Sequence, residues 1–132
     1  MIYLLDANPI SDLLARHPMV STRFREALRR GDTLAICRPI YYELLRVLLW
    51  RGATGKLAIL NRRILPVFSW IPVADADWER AASFWADARH RGRQLSDPDL
   101  ILAAVTDRLG ATLVSNDTDY DILPITREDW RE

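Results

Sequence analysis

The apolar positions of this chain fall into short unbroken runs separated by longer stretches of helical period. Ile2-Tyr3-Leu4-Leu5 is continuously apolar and ends in Asp6, the pattern of a strand buried on both faces of a parallel sheet, with the acid at its carboxyl end. Asn8-Pro9 followed by Ile10, Leu13 and Leu14 predicts a helix start, and Ser21 to Arg30 a second helix stopped at Gly31. Thr33 to Ile36 is a second strand. From Pro39 to Trp50 the residues Leu44, Leu45, Val47, Leu48 and Leu49 crowd one broad face before Arg51-Gly52, so a mostly buried helix is expected, with Glu43 in its first turns.

Gly55 to about Pro66 is again helical in period, and Phe68 to Val73 predicts a short strand. A long helix starts at Asp75 or Asp77 and ends at His90-Arg91-Gly92-Arg93, where positive charge meets the negative pole of the dipole. Within it Trp78, Ala81, Ala82, Trp85 and Ala88 recur at helical spacing. A core stripe is the default explanation of the two tryptophans, and a surface on which two copies pair is the alternative. Ser96-Asp97-Pro98 opens a further helix running to Leu109-Gly110, with Asp97 as the expected cap. Ala111 to Ser115 is another strand, and Asn116 to Asp121 a polar turn. Strands alternating with helices over short connections predict an α/β sandwich with a mostly parallel sheet, in which ligands sit beyond the carboxyl ends of the strands.

Composition adds limits. A chain of 132 residues, 49% hydrophobic, fits one domain with a real core. The apolar start is too short for a signal peptide and nothing resembles a membrane span, so a cytoplasmic protein is expected. Cys37 is the lone cysteine and is expected to be a small buried residue, not a nucleophile or ligand. Net charge is zero, so the molecule as a whole does not advertise nucleic-acid binding. All basic residues except Lys56 are arginines, whose planar fork suits phosphate.

Where the acids fall says more. Asp6 follows one strand, Glu43 lies early in a helix, Asp97 and Asp99 open another helix, and Asp117 and Asp119 follow a later strand. All can face one rim of the sheet. Gathered carboxylates repel unless protons or a cation neutralise them, and oxygen donors with few histidines at hand point to Mg2+ or Mn2+. His17 and His90 lie outside the cluster in sequence. Each acid also has a plain structural explanation. Asp6 suits a helix cap, Asp99 complements a helix dipole, and Asp117, Asp119 and Asp121 suit a turn. Glu43 is harder to dismiss, because it interrupts Ile40, Tyr41, Tyr42 and Leu44, Leu45 in a helix suited to burial.

Four segments in order carry a resemblance: Ile2-Tyr3-Leu4-Leu5-Asp6-Ala7-Asn8, Pro39 to Arg46, Asp97-Pro98-Asp99-Leu100-Ile101-Leu102-Ala103-Ala104, and Ala111 to Tyr120. Together they resemble PIN-domain ribonucleases, above all the VapC-type toxins of type II toxin–antitoxin pairs. The resemblance implies a PIN-like three-layer α/β/α sandwich with a mostly parallel central sheet. It implies Asp6, Glu43, Asp99 and Asp117 as catalytic carboxylates, with Asp6, Asp99 and Asp117 as ligands of Mg2+ or Mn2+ and Asp119 in reserve for the fourth position. Asn8, Ser115 and Asp97 are supporting candidates, with Ser115 standing where threonine is more usual. RNA as substrate, a homodimer and a small antitoxin partner follow from the same resemblance.

Arg46, one helical turn from Glu43, either pairs with that carboxylate or reaches a substrate phosphate. Arg89-His90-Arg91-Gly92-Arg93 is a second phosphate candidate, with a solvated helix end as its plainer explanation. Two rivals differ in class. A catalytically silent relative acting as a binding module is disfavoured because all four acidic positions are filled. A phospho-receiver domain needs an acid after a central strand and a lysine after a late one, whereas no strand followed by Asp occurs near the middle of this chain and its sole lysine, Lys56, sits inside a predicted helix.

Overall fold

The computed structural model describes residues 1–132. Five strands form one wholly parallel sheet: β1 (Ile2–Leu5), β2 (Thr33–Ile36), β3 (Ser69–Trp70), β4 (Thr112–Val114) and β5 (Thr126–Glu128). Their order across the sheet is β3-β2-β1-β4-β5. Burial is continuous along the central strands, from Tyr3 to Leu5, Leu34 to Ile36 and Thr112 to Val114. Both side-chain directions are therefore covered, and the sheet is the middle layer of an α/β/α sandwich. The flanking helices are α1 (Ala7–Leu14), α2 (Pro18–Arg30), α3 (Arg38–Trp50), α4 (Thr54–Ile59), α5 (Asp75–His90) and α6 (Asp97–Leu109).

Local chemistry explains the limits of these elements. Gly31 and Gly110 end α2 and α6 in the left-handed region, at φ 76° and 59°, which a side chain would resist. Helix α2 begins at Pro18, three residues before the expected Ser21, because His17 caps it: its Nδ1 accepts from Val20 N–H at 3.4 Å. The expected helix from Gly55 to Pro66 is α4 followed by a π-helical turn and a 3-10 turn that reach Val67. Of the strand expected from Phe68 to Val73, only Ser69 and Trp70 pair, since Pro72 has no N–H to continue the ladder.

Two expectations about burial are corrected. Helix α3 buries only Ile40, Leu44 and Leu48, while Leu49 and Trp50 are 60% and 84% exposed. Helix α5 buries Ala81, Phe84 and Ala88 against α6, and leaves Trp78 and Trp85 59% and 45% exposed. The two tryptophans share one face seven residues apart, but that face is turned away from the core. Cys37 is fully buried at the start of α3, where burial pushes its thiol up to about 11 and keeps it protonated. No helix is long and apolar enough to cross a membrane.

The strand order creates a break in winding direction. From β1 the chain moves outward to β2 and β3, and then crosses to β4 and β5 on the other side of β1. The connections leaving β1 and β4 thus diverge at their carboxyl ends, opening a crevice between neighbouring strands. Leu5 is in register with Val114 there, and Asp6 N–H donates to the Val114 carbonyl at 3.0 Å.

Candidate metal centre

Asp6 sits in that crevice, 4% exposed. Its Oδ1 accepts from Ala7 N–H at 2.8 Å, which makes it the cap of α1 as well as a rim acid. Its Oδ2 accepts from Ser115 Oγ at 2.8 Å and from the Tyr120 hydroxyl at 3.2 Å. Burial raises its carboxyl above the ordinary range; these hydrogen bonds oppose the shift, and the nearby charge of Asp99 adds to it.

Two further carboxylates face Asp6. Glu43, half-buried in α3, is raised by burial and then by the charges of Asp99 and Asp6. Asp99, in the first turn of α6, donates its N–H to Ser96 Oγ at 3.3 Å and accepts at Oδ1 from the Tyr120 hydroxyl at 2.9 Å. Burial raises it most, and the charges of Asp117 and Asp119 raise it further. One carboxylate oxygen from each of Asp6, Glu43 and Asp99 lies within 4.8 Å of the others. Three acids at this spacing, all pushed toward protonation, form a set that a cation relieves. All the donors are hard oxygens, so the residues fit Mg2+ or Mn2+ better than zinc.

The other candidates occupy distinct places. The group of three consists of Asp6, Glu43 and Asp99, and Asp117 stands outside it, near enough for its charge to act on Asp99. Asp117 Oδ1 accepts from Asp119 N–H at 2.9 Å and its own N–H donates to Ser115 Oγ at 3.1 Å, which shapes the turn after β4. Asp119 stands 3.6 Å from Arg93 in an exposed ion pair. Asp97 is not the cap of α6: Ser96 holds that position through its hydroxyl, and Asp97 is the exposed first helical residue. Asn8 donates from Nδ2 to Asn116 Oδ1 at 2.9 Å, tying the start of α1 to the end of β4.

Arg46 stands over the Tyr42 ring, 5.3 Å from its centroid, and forms no ion pair with Glu43. With Glu43, Arg51 and Lys56 it lines a groove of about 380 Å3 whose apolar wall includes Leu44 and Val47. In the basic run, Arg89 stacks on Trp85 and Arg91 donates to the Ile122 carbonyl at 3.1 Å. His90 is exposed at the end of α5.

Sequence reasoning passed over Tyr120 and Asn116. Tyr120 lies in a 3-10 turn (Thr118–Ile122) and is fully buried. A large aromatic residue inside an otherwise polar run of acids was the available signal, because such a ring anchors a turn to the core and brings a hydroxyl with it.

A family model described as PIN domain matches residues 3–125. No curated protein sequence matches the chain significantly. Among solved structures, VapBC2 from Rickettsia felis bound to a promoter DNA fragment superposes with a TM-score of 0.82 at 23% identity, over 98% of this chain and 99% of that one. FitAcB from Neisseria gonorrhoeae gives 0.84 at 20% identity over 98% of both chains. VapC20 from Mycobacterium tuberculosis, described as a Sarcin-Ricin loop cleaving toxin, gives 0.68 at 20% identity over 94% of this chain and 96% of that one.

Proposed function

The chain belongs to the PIN domain family, and from that membership we propose that it is a Mg2+- or Mn2+-dependent endoribonuclease, the toxin of a type II toxin–antitoxin pair. The observation that carries this reading is the approach of Asp6, Glu43 and Asp99 within 4.8 Å at the carboxyl ends of β1 and β4. Asp6, Glu43 and Asp99 would hold the cation, with Asp117 at the edge as the fourth acid. A cation bound there lowers the pKa of water and offsets charge on the phosphoryl oxygens.

The protein's own groups supply the rest. Ser115 and the Ala7 N–H fix the Asp6 carboxylate, and Ser96 fixes the start of α6 beneath Asp99. Glu43 receives no hydrogen bond from the protein, so its carboxylate oxygens are free for the cation, and one acid of the cluster would take the proton of the attacking water. Attack by water, not by a ribose 2′-hydroxyl, leaves a 5′-phosphate and a 3′-hydroxyl. Arg46, which lines the same groove as Glu43 without an ion pair to it, would meet a substrate phosphate there.

RNA as the substrate is supported by the toxin described as cleaving the Sarcin-Ricin loop among the structural neighbours. A small antitoxin is supported by neighbours solved as VapBC complexes, and the groove beside Glu43 is where its chain would reach the acids. The exposed Trp78 and Trp85 border a shallow apolar hollow of about 390 Å3 with Ala81, Ala82, Leu100 and Ile101, which supports pairing of two copies. A phospho-receiver is disfavoured by the sheet order, which is 3-2-1-4-5 here and 2-1-3-4-5 in that architecture, and by Lys56 lying in α4.

The test is cleavage of total cellular RNA by the purified, antitoxin-free protein with Mg2+ or Mn2+, against EDTA. Discrete cuts that need the cation and disappear in Asp6→Ala and Glu43→Gln, each verified as folded, support the nuclease. No cleavage under any of these conditions, with both variants indistinguishable from the parent, leaves a PIN-like binding module.

A further inference from the structure

Tyr120 is a fully buried phenol whose hydroxyl lies 2.9 Å from Asp99 Oδ1 and 3.2 Å from Asp6 Oδ2. Nothing else in the protein hydrogen-bonds it, so its one proton is shared between two acids of the cluster. The turn that delivers it is held by a series of hydrogen bonds. Asp117 accepts from Asp119 N–H, Ser115 Oγ accepts from Asp117 N–H, and Arg127 holds the Ser115 carbonyl at 2.9 Å. A phenol carries its proton at neutral pH, and between two carboxylate oxygens it can only donate.

The consequence follows from counting acceptor sites, roughly two per carboxylate oxygen. Asp6 Oδ2 already takes both the Ser115 and the Tyr120 hydroxyls, while Oδ1 takes only the Ala7 N–H. Asp99 Oδ1 takes the Tyr120 hydroxyl alone. We propose that Tyr120 is the positioning residue that sets cation selectivity at this centre, by completing the donors on Asp6 Oδ2, so that Asp6 offers only Oδ1, and by holding Asp99 through Oδ1 in a fixed orientation. Ligation through single oxygens suits a small octahedral cation such as Mg2+ or Mn2+. Ca2+ gains from carboxylates that offer both oxygens, and at Asp6 the second oxygen is denied to it. This rests on the metal-site reading of Asp6, Glu43 and Asp99.

The variant Tyr120→Phe keeps every carbon of the ring and removes only the donor. Tyr3→Phe is the matched control, since Tyr3 packs edge-on against Trp130 away from the acids. Mn2+ and Ca2+ are titrated calorimetrically into each metal-free protein, the fold being verified by circular dichroism, and the electron paramagnetic resonance spectrum of bound Mn2+ is recorded. Tyr120→Phe is expected to weaken Mn2+ binding about tenfold or more, to weaken Ca2+ less or not at all, and to alter the Mn2+ spectrum, with Tyr3→Phe unchanged. Equal losses for both cations with an unaltered spectrum reduce Tyr120 to a packing residue and overturn the proposal, as does an unchanged Mn2+ affinity. A parent protein that binds no Mn2+ overturns the metal-site reading itself, and is told apart by the parent titration alone.

Discussion

Ser115 Oγ donates to Asp6 Oδ2 at 2.8 Å across 109 residues of chain, joining the ends of the two adjacent central strands. Both groups are buried, so the hydroxyl takes the place of water for a carboxylate that water barely reaches. Replacing Ser115 by Ala removes that donor and frees Asp6 to turn, and a cation affinity about tenfold weaker is expected. Ser115→Thr keeps the hydroxyl and should bind as the parent does. Titration of Mn2+ into the three metal-free proteins decides the point, and equal affinities would leave Ser115 no part in the site.

The acid cluster makes the pH dependence of stability run opposite to that of a salt-bridged carboxylate. Asp6, Glu43 and Asp99 each have a folded pKa raised above the ordinary value, so the folded chain binds more protons than the unfolded one in the window between them. The stabilisation is complete below the unfolded carboxylate range, near about pH 4, and is lost as pH rises through the raised folded values. In EDTA at neutral pH, Glu43→Gln should therefore melt higher than the parent, and the gap should close as pH falls toward about 4. Mg2+ should raise the parent's melting temperature more than the variant's. Thermal melts at several pH values, with and without Mg2+, measure this, and a gap that widens on acidification would refute it.

The parts of the fold legible from sequence were those in which one residue pattern had one structural outcome. Ile2 to Leu5 is an unbroken apolar run and Thr33 to Ile36 is apolar after its first residue, and the strands cover the expected residues. Strand β5 escaped notice because Thr126-Arg127-Glu128 is polar: it lies at the sheet edge, pairs only with β4, and carries charge that discourages further pairing. Its side chains instead hold neighbouring segments, Arg127 on Asp121 at 2.7 Å and Glu128 on Arg23 at 3.1 Å. In the site, the acids at strand ends were visible because strand ends are. Periodicity gives a helix face but not which face meets the core, which is why the default reading put Trp78 and Trp85 in the core and the alternative, an exposed face, is the one the fold has. The contact of Tyr120 with Asp6 and Asp99 depends on a turn that only the folded chain defines.

Away from the acids, Asp77 is a second place where one side chain holds two elements. It is 1% exposed, takes a bidentate pair from Arg108 of α6 at 2.9 and 3.0 Å, and accepts from Ala74 N–H at 2.7 Å at the start of α5. Arg108 is about a third exposed, so water softens the loss of its partner and the cost falls below that of a fully buried pair. Asp77→Ala should lower stability by about 2 kcal/mol, and Asp77→Asn by less because its amide oxygen still accepts from Ala74. Urea unfolding measures both, and Mn2+ affinity should be unaffected.

Trp78 and Trp85 should decide whether two copies associate. Their side chains, with Ala81, Ala82, Leu100 and Ile101, make an apolar hollow flanked by the exposed Asp97, a combination that costs solubility unless something covers it. Two identical patches meeting about a twofold axis satisfy each other, the commonest solution for a self-complementary surface. Trp85→Glu would place a charge on each side of that contact and repel the copies. Helix α5 would still form, because its buried face consists of Ala81, Phe84 and Ala88. Light scattering after size exclusion should show the parent as a dimer and Trp85→Glu as a folded monomer. A parent that is monomeric at all concentrations would remove pairing as the explanation of the two exposed tryptophans and leave a different partner to cover them.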